Sequence, residues 1–212
     1  MSFRVLYNQN VVYFFWFSLF LFVGGVLLDQ LEFGHEFLFF NSIKTPFFYY
    51  FFQGFTLIGE AYTYFLVFAL LYLYKRNYAW LMPITGGLVS LVVWIAKKSF
   101  AQFRPSEYFD EQNWMKQIDL VPGLVLNSGD TTMPSGHTLS AFALLTLVAF
   151  MVEKNKAIWN TVLFTIALLV GISRVYLVQH FLKDIYTGAI FGVLLATFVY
   201  LAFVSKMNLP QK

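Results

Sequence analysis

The sequence predicts an all-α polytopic membrane protein with six transmembrane helices, organised as a single domain over residues 1–212. Three observations carry that expectation. First, 59% of the residues are hydrophobic and only 12% are charged, against about 25% charged in an ordinary soluble domain. A soluble domain of this length has too little interior to hide so many apolar side chains. Second, the 27 Phe and 13 Tyr suit a bilayer, whose interfaces collect aromatic side chains. Third, six apolar stretches lie near the length of about 20 residues that crosses ~30 Å of hydrocarbon. Zero Cys excludes disulfides, thiolate chemistry and Cys-ligated metal. The net charge is +3 and no basic run suggests nucleic acid.

The elements follow in order. The first span, Val11 to Leu28, reads as a retained helix, because it lacks an A-x-A-like cleavage site and is long for a signal-peptide core. Residues Asp29 to Gly54 begin polar and become rich in Phe and Tyr, as in a segment lying along the bilayer. His35, inside it, reads as a headgroup-level polar residue. The second span runs from Phe55 to Tyr74. Glu60 sits a few residues into it and has two readings: a contact to a pocket cation or substrate headgroup, or a charge favoured by the positive N-terminal end of a helix. The third span is Tyr78 to Ala96. The Gly24-Gly25 and Gly86-Gly87 pairs suggest close helix packing. Ser106 to Thr132 is the longest loop and mixes acids with Tyr108, Trp114 and Ile118; its length suits a lid or binding loop. The fourth span, Thr138 to Val152, is short, so its polar N-terminal neighbours are expected to join its first turn. Ala157 to Ile172 and Ile185 to Val204 complete the set.

Positive charge in short loops orients the chain. Six spans put both termini on one side, together with Arg4, Lys75-Arg76, Lys154, Lys156, Lys206 and Lys212. These tight, basic turns and tails are assigned to the cytoplasm. The opposite side also carries cations, but most of them fall in three polar blocks.

Those blocks hold the chemistry. Lys97 precedes Arg104-Pro105 by seven residues, about two helical turns if the helix persists. Pro105 biases Arg104 away from helix and sets it where the helix ends. Pro134-Ser135-Gly136-His137 opens an apolar helix, whose unsatisfied N–H groups make a ready anion site. Ser135 adds a hydroxyl, and Gly136 lets the backbone approach an oxyanion; the same residues also read as a plain turn and cap. Ser173-Arg174 is followed by His180 and Asp184. On a helix the last two share a face, where a carboxylate orients one imidazole nitrogen and exposes the other; the pair also reads as a capping Asp at the start of the sixth span with an incidental His. All three blocks fall at one membrane face, and a fold that gathers them makes a phosphate pocket with two histidines and one carboxylate. Lys98 and Lys183 are read as snorkelling to headgroups.

Taken together, Lys-x6-Arg-Pro, Pro-Ser-Gly-His and Ser-Arg-x5-His-x3-Asp resemble the tripartite signature of the type-2 phosphatidic acid phosphatase superfamily. The match is complete and in order: Lys97, Arg104, Pro105, Pro134, Ser135, Gly136, His137, Ser173, Arg174, His180 and Asp184. The resemblance implies an integral membrane lipid phosphatase at the outer face of a bacterial-type cytoplasmic membrane. It implies that His180 attacks phosphorus to give a phosphohistidine, that Asp184 orients His180, and that His137 protonates the leaving oxygen. Lys97, Arg104, Ser135, Gly136 and Arg174 are implied to hold the phosphate. No metal or other cofactor is expected, since side-chain cations take the metal's place. Implied substrates are undecaprenyl pyrophosphate, phosphatidylglycerophosphate, phosphatidic acid and lipid A. The superfamily includes vanadium haloperoxidases, whose mostly soluble character fits six spans poorly. A headgroup-binding or transport protein without chemistry is the other alternative, although transporter sites usually lie at the bilayer midplane.

Overall fold

A computed structural model describes residues 2–204, and the elements among them are helical. Ser2 caps a short helix, α1 (Phe3–Gln9), which leads into α2 (Val11–Gln30). Two helices follow in the aromatic segment, α3 (Glu36–Asn41) and α4 (Pro46–Leu57). Thr45 caps α4 and Pro46 sits at its start, a pairing that needs no N–H where none has a partner. After α5 (Ala61–Tyr74) come the single turn α6 (Arg76–Ala79) and α7 (Leu81–Phe100). The long loop holds α8 (Pro105–Glu111) and a 3₁₀ turn at Met115–Gln117. The last three helices are α9 (Gly136–Met151), α10 (Lys156–Tyr176) and α11 (Leu182–Val204).

By length and composition, α2, the run from Arg76 to Phe100, α10 and α11 can each cross a membrane, and the bent pair α4–α5 is a fifth candidate. The shortest expected span is the centre of the molecule. α9 has 16 residues, about 24 Å of rise, and its side chains are buried almost all round. A helix hydrophobic on every side belongs inside a bundle, where protein and not lipid sets its length. α7, α10 and α11 surround it. Its closest neighbour is α11, because Gly188 and Gly192 let the two backbones touch. A Cβ at Gly192 would lie 2.7 Å from the Leu139 carbonyl oxygen, and one at Gly188 would lie 2.8 Å from that of Ser135. Small residues at such crossings are the usual device for helix association in lipid. Of the expected glycine pairs, Gly24 packs on Tyr186 and Gly86 on Tyr64, whereas Gly87 faces open space.

The second span differs from expectation. It is not one helix from Phe55 to Tyr74: the chain breaks between Leu57 and Ala61, and α4 and α5 meet at 62°. The expected boundary at Gly54 falls inside α4, and Glu60 caps α5 from outside its first turn. The cause is α9. A Cβ at Gly59 would lie 2.9 Å from both Cβ and the carbonyl oxygen of His137, so the chain must turn around the start of that helix.

The bundle has two distinct ends. At one, Lys75 pairs with Glu153 at 2.7 Å and donates to the Met151 carbonyl at 3.2 Å, joining the α5–α6 and α9–α10 turns. Lys206 and Lys212, counted with these in the charge bias, lie outside the described residues. At the other end, α3 and the 105–132 loop cover the α10–α11 turn. Phe37, Phe109, Ile118, Val175, Val178 and Phe181 form a buried apolar cluster there.

Candidate active site

The third block does not lie on one helix. α10 ends at Tyr176 and α11 begins at Leu182, so His180 sits in the turn between them, after Val178 at φ 54°. The expected i, i+4 pair forms, but not along one helix: it spans the turn and the start of α11, where Asp184 also acts as a cap. Asp184, in the first turn of α11, reaches back to accept the Phe181 N–H at 2.9 Å. The same oxygen, Oδ2, accepts the Thr132 hydroxyl at 2.5 Å and faces His180 Nδ1 at 3.3 Å. The His180 N–H donates to the Arg174 carbonyl at 3.2 Å. His180 is 3% exposed and Asp184 is fully buried. With Nδ1 turned to the carboxylate, Nε2 is the nitrogen left to react. Burial holds the His180 imidazole far below its ordinary value, to about 4; Asp184 opposes the shift, and Arg174 and Arg104 add to it. The ring is therefore neutral at neutral pH.

The cations converge on this pair from three elements. Lys97 lies in the last turn of α7. Arg104 does not extend that helix. The chain leaves α7 through Ala101 at φ 39°, and Arg104 is extended, at φ −75° and ψ 160°, before Pro105 starts α8. Arg104 is buried and donates to the carbonyls of Gln179 and Thr131, each at 3.4 Å. Arg174, in the last turn of α10, donates to Thr56 Oγ1 at 2.6 Å. Lys97 is within electrostatic reach of Arg104, Arg174 and Asp184. The Nε atoms of both arginines are buried without a partner. Unsatisfied charged donors are costly, and an anion bound among them supplies the missing acceptor. Lys98 and Lys183 instead place their ammonium groups 4.1 Å from the rings of Trp94 and Phe33.

The second block opens α9. Ser135 is its cap: Oγ accepts from the Thr138 N–H at 3.4 Å and the Thr138 hydroxyl at 2.9 Å. With both acceptor positions used, the Ser135 O–H remains free to donate. The Ser135 N–H donates to the Asp184 carbonyl at 3.0 Å, tying the second block to the third. Gly136 is the first residue of α9. His137 Nε2 meets Glu60 Oε1 at 2.9 Å, so Glu60 enters the cluster through a histidine.

Two open spaces meet at the His137–Glu60 pair. An open bowl of about 620 Å³ takes polar groups from Thr56, Asn127, Arg174 and Gln179 together with the pair, among apolar neighbours such as Leu57 and Leu177. An apolar groove of about 610 Å³ runs between α5, α7 and α9, lined by Tyr64, Phe68, Gly87 and Val93 together with Gly136 and the pair.

Three participants are absent from the sequence expectations. Thr132 holds Asp184 and lies 3.2 Å from His180 Nδ1. Thr56 anchors Arg174. Gln179 offers its backbone carbonyl to Arg104, while its side chain bonds Asn127 at 2.5 Å and the Val125 carbonyl at 3.1 Å. None is marked by residue type or spacing. Thr132 and Gln179 adjoin the blocks in sequence, and Thr56 is brought in only by the bend of α4.

The PAP2 superfamily model matches residues 78–207. Phosphatidylglycerophosphatase B of Bacillus subtilis is 31% identical over 93 residues, 40% of this chain and 45% of that protein. The chain thus matches less than half the length of this curated relative. Two crystal structures share the fold, each with a TM-score of 0.65. Aquifex aeolicus LpxE, at 24% identity, covers 79% of this chain and 93% of its own. The first transmembrane PAP2-type phosphatidylglycerolphosphate phosphatase from Bacillus subtilis, at 22% identity, covers 96% and 98%. The family match spans more than half of the chain and contains all three blocks that the fold gathers, and the protein belongs to the PAP2 superfamily.

Proposed function

We propose that the protein is a membrane lipid phosphatase that hydrolyses a lipid phosphate monoester or pyrophosphate through a phosphohistidine, without a metal. The observation that carries this reading is the buried His180–Asp184 pair, set beside two arginines with unpartnered Nε donors. Neutral His180 attacks phosphorus through Nε2, and the bond from phosphorus to the leaving oxygen breaks. His137 gives that oxygen a proton, then takes one from the water that cleaves the N–P bond. Lys97, Arg104 and Arg174, with the Ser135 hydroxyl and Gly136 N–H, hold the non-bridging oxygens. At Gly136 a Cβ would meet only the Val93 side chain, at 3.6 Å. Protein packing tolerates a larger residue there, and close approach of an anion accounts for glycine.

A lipid substrate is supported by the apolar groove, which leads from the bilayer flank to His137 and Glu60. The tail occupies the groove while the phosphate reaches the cations. The substrate is a prenyl pyrophosphate or a phospholipid phosphate; the name of the Bacillus subtilis relative favours the second. The chain acts as one unit of six crossings: α2, α4–α5, α6–α7, α9, α10 and α11. Both termini lie in the cytoplasm and the site at the outer face of a bacterial-type cytoplasmic membrane.

Phosphate release by the purified chain in detergent, with chelator present, tests the reading. Wild type is expected to release phosphate from lipid phosphates, and His180→Ala to lose that activity. Equal release from both removes His180 as nucleophile, and dependence on an added divalent ion removes the metal-free mechanism.

A further inference from the structure

The second histidine has its own carboxylate. Glu60 Oε1 stands 2.9 Å from His137 Nε2, much as Asp184 Oδ2 stands 3.3 Å from Nδ1 of His180. The two pairs use opposite ring nitrogens. Asp184 takes Nδ1 and leaves Nε2 for attack; Glu60 takes Nε2 and leaves Nδ1 for proton exchange. We propose that Glu60 is a positioning residue, which fixes the tautomer of His137 and stabilises its imidazolium so that Nδ1–H can protonate the leaving oxygen. This rests on the phosphatase reading above.

The local structure is built for that contact. Glu60 belongs to neither flanking helix; it is the cap residue of α5, held where the 62° break aims the chain at the start of α9. Gly59 is pressed against His137, with room for no side chain between them. The Glu60 side chain bonds no backbone N–H of α5, so its carboxylate is spent on the imidazole. The pair also stands where the groove and the bowl meet. A lipid tail in the groove and a phosphate among the cations place the bridging oxygen beside His137. The cations near His137 are Arg174 from α10 and Lys97 from α7. Both are positive, and Glu60 is the negative group in direct contact with the same ring.

The proton balance closes. In the first step Nδ1–H passes to the leaving oxygen, and His137 becomes neutral with its remaining hydrogen on Nε2, facing Glu60. Nδ1 then accepts a proton from the attacking water as the N–P bond breaks, which restores the imidazolium.

Leaving-group dependence tests the role. Phenyl phosphate and p-nitrophenyl phosphate are both soluble, but only the first needs its leaving oxygen protonated. kcat/KM reports the first step for each. Removing a general acid outright costs roughly 10²- to 10⁴-fold, so weakening it through Glu60→Gln is expected to cost on the order of 10-fold or more on phenyl phosphate. The loss on p-nitrophenyl phosphate should be far smaller, and Glu60→Asp should recover part of the phenyl phosphate rate. Equal losses on both substrates, or no recovery by Asp, would overturn the proposal. Imidazole ¹⁵N shifts of the ligand-free protein give a readout without turnover. At a pH where His137 is neutral, its hydrogen should sit on Nε2 in wild type and lose that preference in Glu60→Ala; identical shifts would sink the pairing. Wild type inactive on every phosphate ends the phosphatase reading and this role with it, while the shifts still report whether the pair exists.

Discussion

At His180 the surroundings set the protonation state. Burial is the largest cause, the arginines add to it, and the ring is held neutral down to about pH 4. Protonation, and loss of nucleophilicity, therefore comes as pH falls through about 4, well below the ordinary imidazole range. Ring ¹⁵N titration is expected to show His180 neutral at pH 5.5; a midpoint near 6.5 would contradict the burial seen here. Asp184 is the second determinant at this scale. One of its oxygens takes three donors, from Thr132, Phe181 and His180, so Asp184→Asn exchanges an acceptor for a group that also donates. By analogy with a carboxylate–histidine pair in a catalytic triad, the loss in kcat is expected to be on the order of 10⁴-fold. Phosphate release measures it, and circular dichroism checks that the helices remain. These residues stood out as candidates in the sequence because residue type and spacing carry chemistry. Thr132, Thr56 and Gln179 were not legible, because a hydrogen bond made across the fold leaves no pattern in the chain.

At the scale of elements, two contacts decide the geometry. The α9–α11 crossing depends on Gly188 and Gly192. Gly192→Ala is expected to cost about 1–3 kcal/mol through overpacking, read as a lower unfolding midpoint in detergent, although the residue touches no substrate. The break between α4 and α5 is the other. Hydropathy alone joined Phe55 to Tyr74 into one span, since every residue near the break except Glu60 is compatible with an apolar helix. The bend answers a neighbour, α9, that lies about 80 positions away in sequence. The groove is also a property of elements. Gly87 has open space where its Cβ would stand, so Gly87→Phe should fold and fill the groove. Its kcat/KM for a lipid phosphate is expected to fall on the order of 10-fold or more, the scale of a few lost apolar contacts. Turnover of p-nitrophenyl phosphate should change little. Equal effects on both would mean that the tail lies elsewhere.

Direction across the membrane is a property of the whole molecule. The Lys75–Glu153 end and the site end are opposite ends of the bundle, and the charge bias assigns the first to the cytoplasm. Zero Cys makes the test clean. An impermeant maleimide is expected to label Ser128→Cys, exposed beside the bowl, in intact cells. Lys154→Cys, exposed in the opposite turn, should react only after the membrane is opened. The reverse pattern would turn the orientation over and put the site on the cytoplasmic face.

The sequence by itself determined the helical membrane class, most of the long apolar helices, and the residues of the three blocks. Lipid solvent makes spans readable as runs of apolar residues, and phosphate chemistry restricts which side chains hold and attack phosphorus. Tertiary structure alone decided that the shortest span is the central one, that His180 sits off the helix carrying Asp184, and that Glu60 meets His137. Each of these follows from packing between segments remote in sequence: protein surrounds α9 in place of lipid, Asp184 caps the turn that holds His180, and Gly59 yields to α9 so that the chain bends Glu60 onto the imidazole.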